Sequence, residues 1–443
     1  MTFNEEFAAF CRDYGEPERI ELLLCDLNGI FRGKWLPGDQ WTKVAKGKVR
    51  LPYSTCAVSI RGHEVSETGL GQIVGDPDGV LVPVPGTLLP VPWADRPTAQ
   101  VLVDMLEEPG KPSNLSPRTL LKRLLDRYAA KGWTPVVAPE LEFYVLEHRD
   151  MPDEPPQPPN RTPAAQNYDM EVLTRAATWL GAIGDACAQQ GLPTETVTAE
   201  YGPGQFEVNF RHGPVLQAAD QAVLFRRTVR GVLTRHALEG TFMAKPYGTE
   251  PGSGMHVHVS VVDEDGRNIF DQPGEPGRLL AQAVAGTLAT MRDLQAVFAP
   301  HLNSYRRFGT QSFAPSAPEW GFDHRGVAVR LAEIEGPAAR LEHRIAGSDA
   351  NPYLVIAAIL GGMLHGIENG LELPPMINET DTPPEPLTAH WELAVERFAQ
   401  STVAADIFGT AFRDVFSAVK RKEIAELTTV VTPLEYQLYL TRL

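Results

Sequence analysis

The chain has 443 residues, 43% of them hydrophobic and 22% charged, and a formal net charge of −16. This describes a globular protein of one to three domains with a substantial core. So acidic a chain argues against a nucleic-acid partner, since phosphate backbones demand basic surface, although a local arginine cluster can still hold a nucleotide.

Cys11, Cys25, Cys56 and Cys187 are scattered without a C-x-x-C pair. This pattern points to a reducing, cytoplasmic setting with neither a disulfide framework nor a zinc ribbon. The acidic start (Glu5, Glu6) lacks the basic segment of a signal peptide. The most apolar run, residues 352–364, is too short for a membrane span and reads as a core helix, so no membrane partner is expected.

In chain order, residues 3–14 form an amphipathic helix and 19–25 a strand, followed by the turn Asp26-Leu27-Asn28-Gly29 and a second strand over 31–36. Gly29 to Lys34 falls one residue short of a phosphate loop, with Trp35 where Ser or Thr belongs. Gly69-Leu70-Gly71 followed by Gly75 likewise misses the dinucleotide fingerprint. Residues 76–93 are rich in Pro and Gly, and 98–105 form a strand; a small β-rich unit ends near Pro109. The expected domains are therefore 1–109 and 110–443.

Ser116, as N-cap, and Pro117 open a helix running to about Lys131. A strand over 139–144 and a proline-rich loop over 151–163 come next. Residues 171–190 are helical, 194–200 and 205–210 are strands, and Tyr201-Gly202-Pro203-Gly204 is the turn between them. Helices are expected over 215–238, 277–291 and 351–370, with mostly helix beyond. Hairpins without regular β-α-β alternation point to an α+β fold.

Several strands share one chemical peculiarity. In Gly252-Ser-Gly-Met-His-Val-His-Val-Ser260, His256, His258 and Ser260 fall on one face, with Met255, Val257 and Val259 on the other. Two histidines alone would pass for a polar face turned to water. However, Glu140 and Glu142 share a face in the same way, as do Gln205, Glu207 and Asn209, and Arg340, Glu342 and Arg344; Arg330 stands out against Val327, Val329 and Leu331. Like charges on one face repel unless something neutralises them. Carboxylates with few histidines suit hard divalent cations such as Mg²⁺ or Mn²⁺, and arginines suit phosphate and carboxylate groups. These strands read as one concave polar sheet face that holds metals and an anionic ligand.

These stretches resemble, in the same order, those of the glutamine synthetase superfamily. The matches are Glu-Leu-Glu-Phe-Tyr at Glu140, Gly-Gln-Phe-Glu at Gly204, Gly-Ser-Gly-Met-His-Val-His at Gly252, Asn-Ser-Tyr-Arg-Arg at Asn303, Arg-Leu-Glu-His-Arg at Arg340 and Asn-Pro-Tyr-Leu at Asn351. The resemblance implies an N-terminal β-grasp domain and a catalytic domain with a curved antiparallel sheet flanked by helices. It also implies a homo-oligomeric double ring, such as a dodecamer, with active sites between neighbouring subunits. By the same resemblance, Glu142, Glu200 and Glu207 hold one divalent metal, and Glu140, His256 and Glu342 another, so that there are two or more per site. Arg307 and Arg344 grip glutamate, near Glu142 and His256, and Gly252 approaches its backbone end. Arg325, Arg330 and Arg340 serve ATP and the transferring phosphate, and His258 and Ser260 line the nucleotide side close to Glu207. Arg325 and Arg330, with Glu342 and His256, form the implied catalytic set.

Four departures from the family pattern bear on function. Where ammonium-using members carry Asp-Gly-Ser-Ser, this chain reads Leu51-Pro52-Tyr53-Ser54-Thr55. Where they carry a flap glutamate, Ser312-Phe313-Ala314-Pro315 places Phe313. Pro251 replaces an asparagine frequent before Gly252, and Leu371 stands where regulated bacterial members carry the tyrosine that is adenylylated, so that control should be absent. Ammonium is a compact cation that needs acidic groups and acceptors, and losing two of them while gaining an aromatic suits an amine that carries carbon. The pattern resembles the γ-glutamylpolyamine and γ-glutamylmonoamide synthetase branch. The leading expectation is ATP-dependent ligation of glutamate to a polyamine or a small monoamine such as ethanolamine. The alternatives are an ordinary glutamine synthetase and a non-catalytic member with a structural or regulatory role.

Overall fold

The computed structural model describes residues 2–108, 110–274, 276–309, 312–379 and 383–443. Pro109, where the first unit was expected to close, lies outside the described residues. Helix Phe3–Tyr14 opens with a capping box in which the Thr2 side chain accepts from Glu5 N and the Glu5 carboxylate accepts from Thr2 N. Strand Arg19–Cys25 pairs antiparallel with Phe31–Pro37 and parallel with Thr98–Glu108 at the centre of a seven-stranded sheet. Gly29, at φ +73, lets the Asp26–Gly29 turn close beneath Asn351 and Arg226.

A second sheet of nine strands carries the polar faces. Its central path runs from Val329–Glu333 through Arg340–His343, Met255–Val262 and Thr134–Glu147 to Gln205–Phe210 and Thr194–Ala199. Alternation along Met255–Val262 is strict, with Met255, Val257, Val259 and Val261 fully buried and the intervening residues half-buried. Helices pack on the apolar face. Pro352–Asn369 is buried along nearly its whole length, as its sequence predicts, because it crosses Arg278–Met291 closely. A Cβ on Gly286 would lie 2.2 Å from Gly362 O, so only glycine permits this approach.

Asn351 joins the core helix to the N-terminal turn. Its side-chain oxygen accepts from Tyr353 N as the N-cap of Pro352–Asn369, and its Nδ2 donates to Asp26 O at 2.9 Å. One residue thus starts the core helix and holds the N-terminal turn.

Three local expectations change. Ser116 has extended backbone at its helix start but makes no capping hydrogen bond; proline at the first turn needs no donor partner there. The helix expected over 215–238 ends at Arg235, where Ala237 at φ +55 turns the chain into strand Leu238–Thr241. The strand expected over 327–331 spans Val329–Glu333 and has a parallel neighbour, Trp320–Phe322. The fold remains α+β.

Candidate active site

Strand register brings the charged residues together. Glu142 lies opposite Glu207, Glu140 lies between Asn209 and His256, and Glu342 lies between His258 and Arg330. Cross-strand neighbours on one face stand about 4.5–5.5 Å apart, so period-2 alternation becomes a two-dimensional array. This array floors a cavity of about 770 Å³. Glu140, Glu142, Glu200, Glu207, His256 and Glu342 line it, as do Gly252, Arg307, Arg325, Arg330, Arg344 and Phe313. Of the residues expected from sequence, His258, Ser260 and Arg340 are not in this lining. His258 and Ser260 follow His256 along the same polar face, and Arg340 Nε reaches His258 Nδ1 at 3.4 Å.

The electrostatics are those of a site built around cations. Burial, then the charge of Glu142, push Glu200 up to about 7. The same causes, with Glu140 and Glu200 added, raise Glu207 well above the usual carboxylate range. Burial also works against ionised Glu140, but hydrogen bonds from His256 (3.4 Å) and His258 (3.0 Å) outweigh it and hold that carboxyl low. Glu342 is 1% exposed; its burial is outweighed by His256 and Arg344, which lower it. It pairs with Arg330 Nη1 at 3.0 Å and with Arg344.

Two groups of donor atoms lie within 4.8 Å of one another: Glu140, Glu207 and His256, and Glu140, His258 and Glu342. A divalent cation fits this donor set, because carboxylate oxygens dominate and the clustering that raises Glu200 and Glu207 needs positive charge to offset it. The grouping differs from the one the resemblance implied. Glu140 is shared and His258 joins it, while Glu142 Oε2 accepts from Gly254 N at 2.8 Å and Gln205 Nε2 at 3.1 Å, bonds that fix the direction of its carboxylate.

Arg307 is buried and donates to Ile345 O at 2.8 Å. A Cβ on Gly252 would lie 2.6 Å from both Arg307 Cγ and Ala244 O. The carbonyl belongs to the backbone and cannot swing aside. Overpacking of this kind costs about 1–3 kcal/mol, so Gly252→Ala should raise KM for a ligand bound in this cavity by about tenfold or more. Steady-state kinetics of the variant checks this, and an unchanged KM would place that ligand elsewhere.

A profile of the glutamine synthetase catalytic domain matches residues 114–439. The chain belongs to the glutamine synthetase family. It is 37% identical to γ-glutamylputrescine synthetase PuuA of Escherichia coli (strain K12), over 98% of this chain and 94% of that protein. It is 34% identical to glutamate–isopropylamine ligase of Pseudomonas sp, over 97% of each. A solved structure of apo GmaS without ligand superposes with a TM-score of 0.85 at 28% identity, covering 98% of this chain and 99% of that one. Glutamine synthetases use ATP and divalent metals, in keeping with the carboxylate-rich cavity.

Within this glutamine synthetase fold, Gln205, which strand alternation already placed on the polar face, gains a specific contact, and Tyr201, Asn167 and Tyr168 are lining residues that sequence reasoning missed. Gln205 donates to Glu142 and to Gly252 O, thereby setting the carboxylate's direction. Tyr201, 42% exposed, meets Phe313, 67% exposed, edge-on with ring centroids 5.4 Å apart. Asn167 and Tyr168 both hold positive φ, and Arg325 Nη1 donates to the Tyr168 hydroxyl at 3.4 Å. The sequence signal was an aromatic placed in a polar turn, as Tyr201 is beside Glu200.

Proposed function

We propose that this protein joins the γ-carboxylate of glutamate to an organic amine at the expense of ATP. The carboxylate attacks the γ-phosphorus, ADP leaves, and γ-glutamyl phosphate forms. The amine then attacks the acyl carbon, phosphate leaves, the amine nitrogen loses a proton, and an amide remains. In this reading Arg307 and Arg344 hold glutamate, and Arg325, Arg330 and Arg340 neutralise phosphate oxygens. Glu140, Glu142, Glu200, Glu207, His256 and Glu342 would hold Mg²⁺ or Mn²⁺, two or more per site, which when bound offset phosphate charge during transfer. The similar proteins named for putrescine and isopropylamine support an amine as co-substrate.

The observation that carries the organic-amine reading is the wall formed by Tyr168, Tyr201 and Phe313 in the cavity that also holds the carboxylates. Aromatic faces bind alkyl chains and cationic heads together, whereas ammonium offers no carbon to bury. A homo-oligomer, proposed to be a double ring, fits the apolar side chains exposed near the C-terminus, among them Val430, Leu434 and Leu440. None of the described helices is long and apolar enough to cross a membrane.

Competition assays with ammonium and a panel of mono-, di- and polyamines, read as phosphate release, test the reading. One buried methylene is worth about 0.8 kcal/mol, so a few carbons should favour an alkyl amine by roughly two powers of ten. Phe313→Glu should weaken amine use and improve ammonium use only in part, since the N-terminal aspartate is still missing. If ammonium is the best substrate of the unaltered protein, the chain is an ordinary glutamine synthetase.

A further inference from the structure

Behind the catalytic strand lies a second cavity of about 150 Å³. Gln205 and Glu207 face the active site, and Phe206, on the reverse face of the same strand, lines this cavity. Val172, Ala176 and Trp179 of helix Met170–Gln189 line it as well. The proline-rich loop contributes Arg161, and the helix contributes Arg175. No carboxylate lines it. Neither guanidinium makes an ion pair or hydrogen bond among the described residues, although the chain carries a net charge of −16. Arg161 holds φ +65, a left-handed backbone uncommon for a non-glycine residue.

Besides Phe206, the Gln166 side chain ties the cavity to the catalytic strand. Gln166 is buried in the lining, accepts from Gly204 N at 2.9 Å and donates to Gln205 O at 2.7 Å and Glu200 O at 3.2 Å. It thereby bridges the second cavity to the segment that carries Glu200 and Gln205.

We propose that this cavity binds a compact organic carboxylate. Two unpaired guanidiniums supply the anion contact, and the surface formed by Phe206, Val172, Ala176 and Trp179 favours a carbon skeleton over inorganic phosphate. A cavity of about 150 Å³ takes a ligand the size of benzene, so the carboxylate has about six to eight non-hydrogen atoms. The site is read by binding alone, so its result stands apart from which amine the enzyme uses.

The test is calorimetric titration of the full-length protein with succinate, and with succinamide and inorganic phosphate as comparisons. Succinate should saturate one site per chain with a Kd of about 1 mM or below, and the other two should bind at least tenfold more weakly. The double variant Arg161→Gln/Arg175→Gln should weaken succinate by about ten- to a hundredfold, and Arg344→Gln in the main cavity should leave it unchanged. Both substituted arginines are exposed, so the fold should survive, as an unaltered Tm without ligand would verify. Four results would each overturn the proposal: no saturable binding up to about 10 mM, binding unchanged in the double variant, loss in Arg344→Gln, or succinamide or phosphate binding as tightly as succinate.

Discussion

Arg330→Ala should lower kcat by about three powers of ten or more while leaving KM for the amine nearly unchanged. In the proposed reaction Arg330 neutralises the phosphoryl group in flight, an interaction strongest in the transition state, and its loss therefore falls on kcat. Its position supports this role. Arg330 lines the cavity and is held from both sides, by Glu342 at 3.0 Å and by Asp323 on the solvent side. Burial would lower its pKa, but the hydrogen bond it donates to Asp323 and the charge of Glu342 outweigh burial and raise it, so the guanidinium stays charged throughout. Lysine should not restore the rate, because a point charge cannot keep the planar fork between two carboxylates. Single-turnover measurement of γ-glutamyl phosphate formation separates the steps. An unchanged kcat with weakened amine binding would mean that Arg330 faces the amine.

Glu207→Ala should abolish turnover, and so should chelation of divalent metal with EDTA. Glu207 sits opposite Glu142 in the ladder and near Glu200, and burial combined with those charges disfavours its ionised form. A cation that offsets several kcal/mol of phosphate charge corresponds to about three powers of ten or more in rate. A second readout does not need activity. Because a ligand that binds only the folded state stabilises it by mass action, Mg²⁺ or Mn²⁺ should raise the Tm of the unaltered protein, and by much less in Glu207→Ala. Full turnover in EDTA, or by the variant, would remove the metal assignment.

The same carboxylates show how far local sequence reaches. A strand's side chains alternate because of its covalent geometry, so Glu140 with Glu142, and His256 with His258, are committed to one face before any packing occurs. Like charges concentrated on such faces already implied a neutralising ligand. Caps are equally local: Thr2 with Glu5, and Asn351 before Pro352, mark helix starts within a few residues of chain.

Position along a neighbouring strand is different, because a strand can slide past its partner without changing its own alternation. Only the packed sheet places Glu142 opposite Glu207, and Glu342 between His258 and Arg330. The donor grouping follows from that register, which brings His258 within 3.0 Å of Glu140. The aromatic wall depends still more on long-range packing. Tyr168, Tyr201 and Phe313 come from three separate loops, and no periodicity links them. The second cavity is the same kind of case, because Arg161 and Arg175 flank a helix start and become neighbours of Phe206 only after the helix docks on the reverse of its strand. Sequence by itself determined which side chains share a strand face, since that follows from bond geometry. Tertiary structure alone decided which faces and loops meet, since that depends on how helices and sheets bury their apolar sides together.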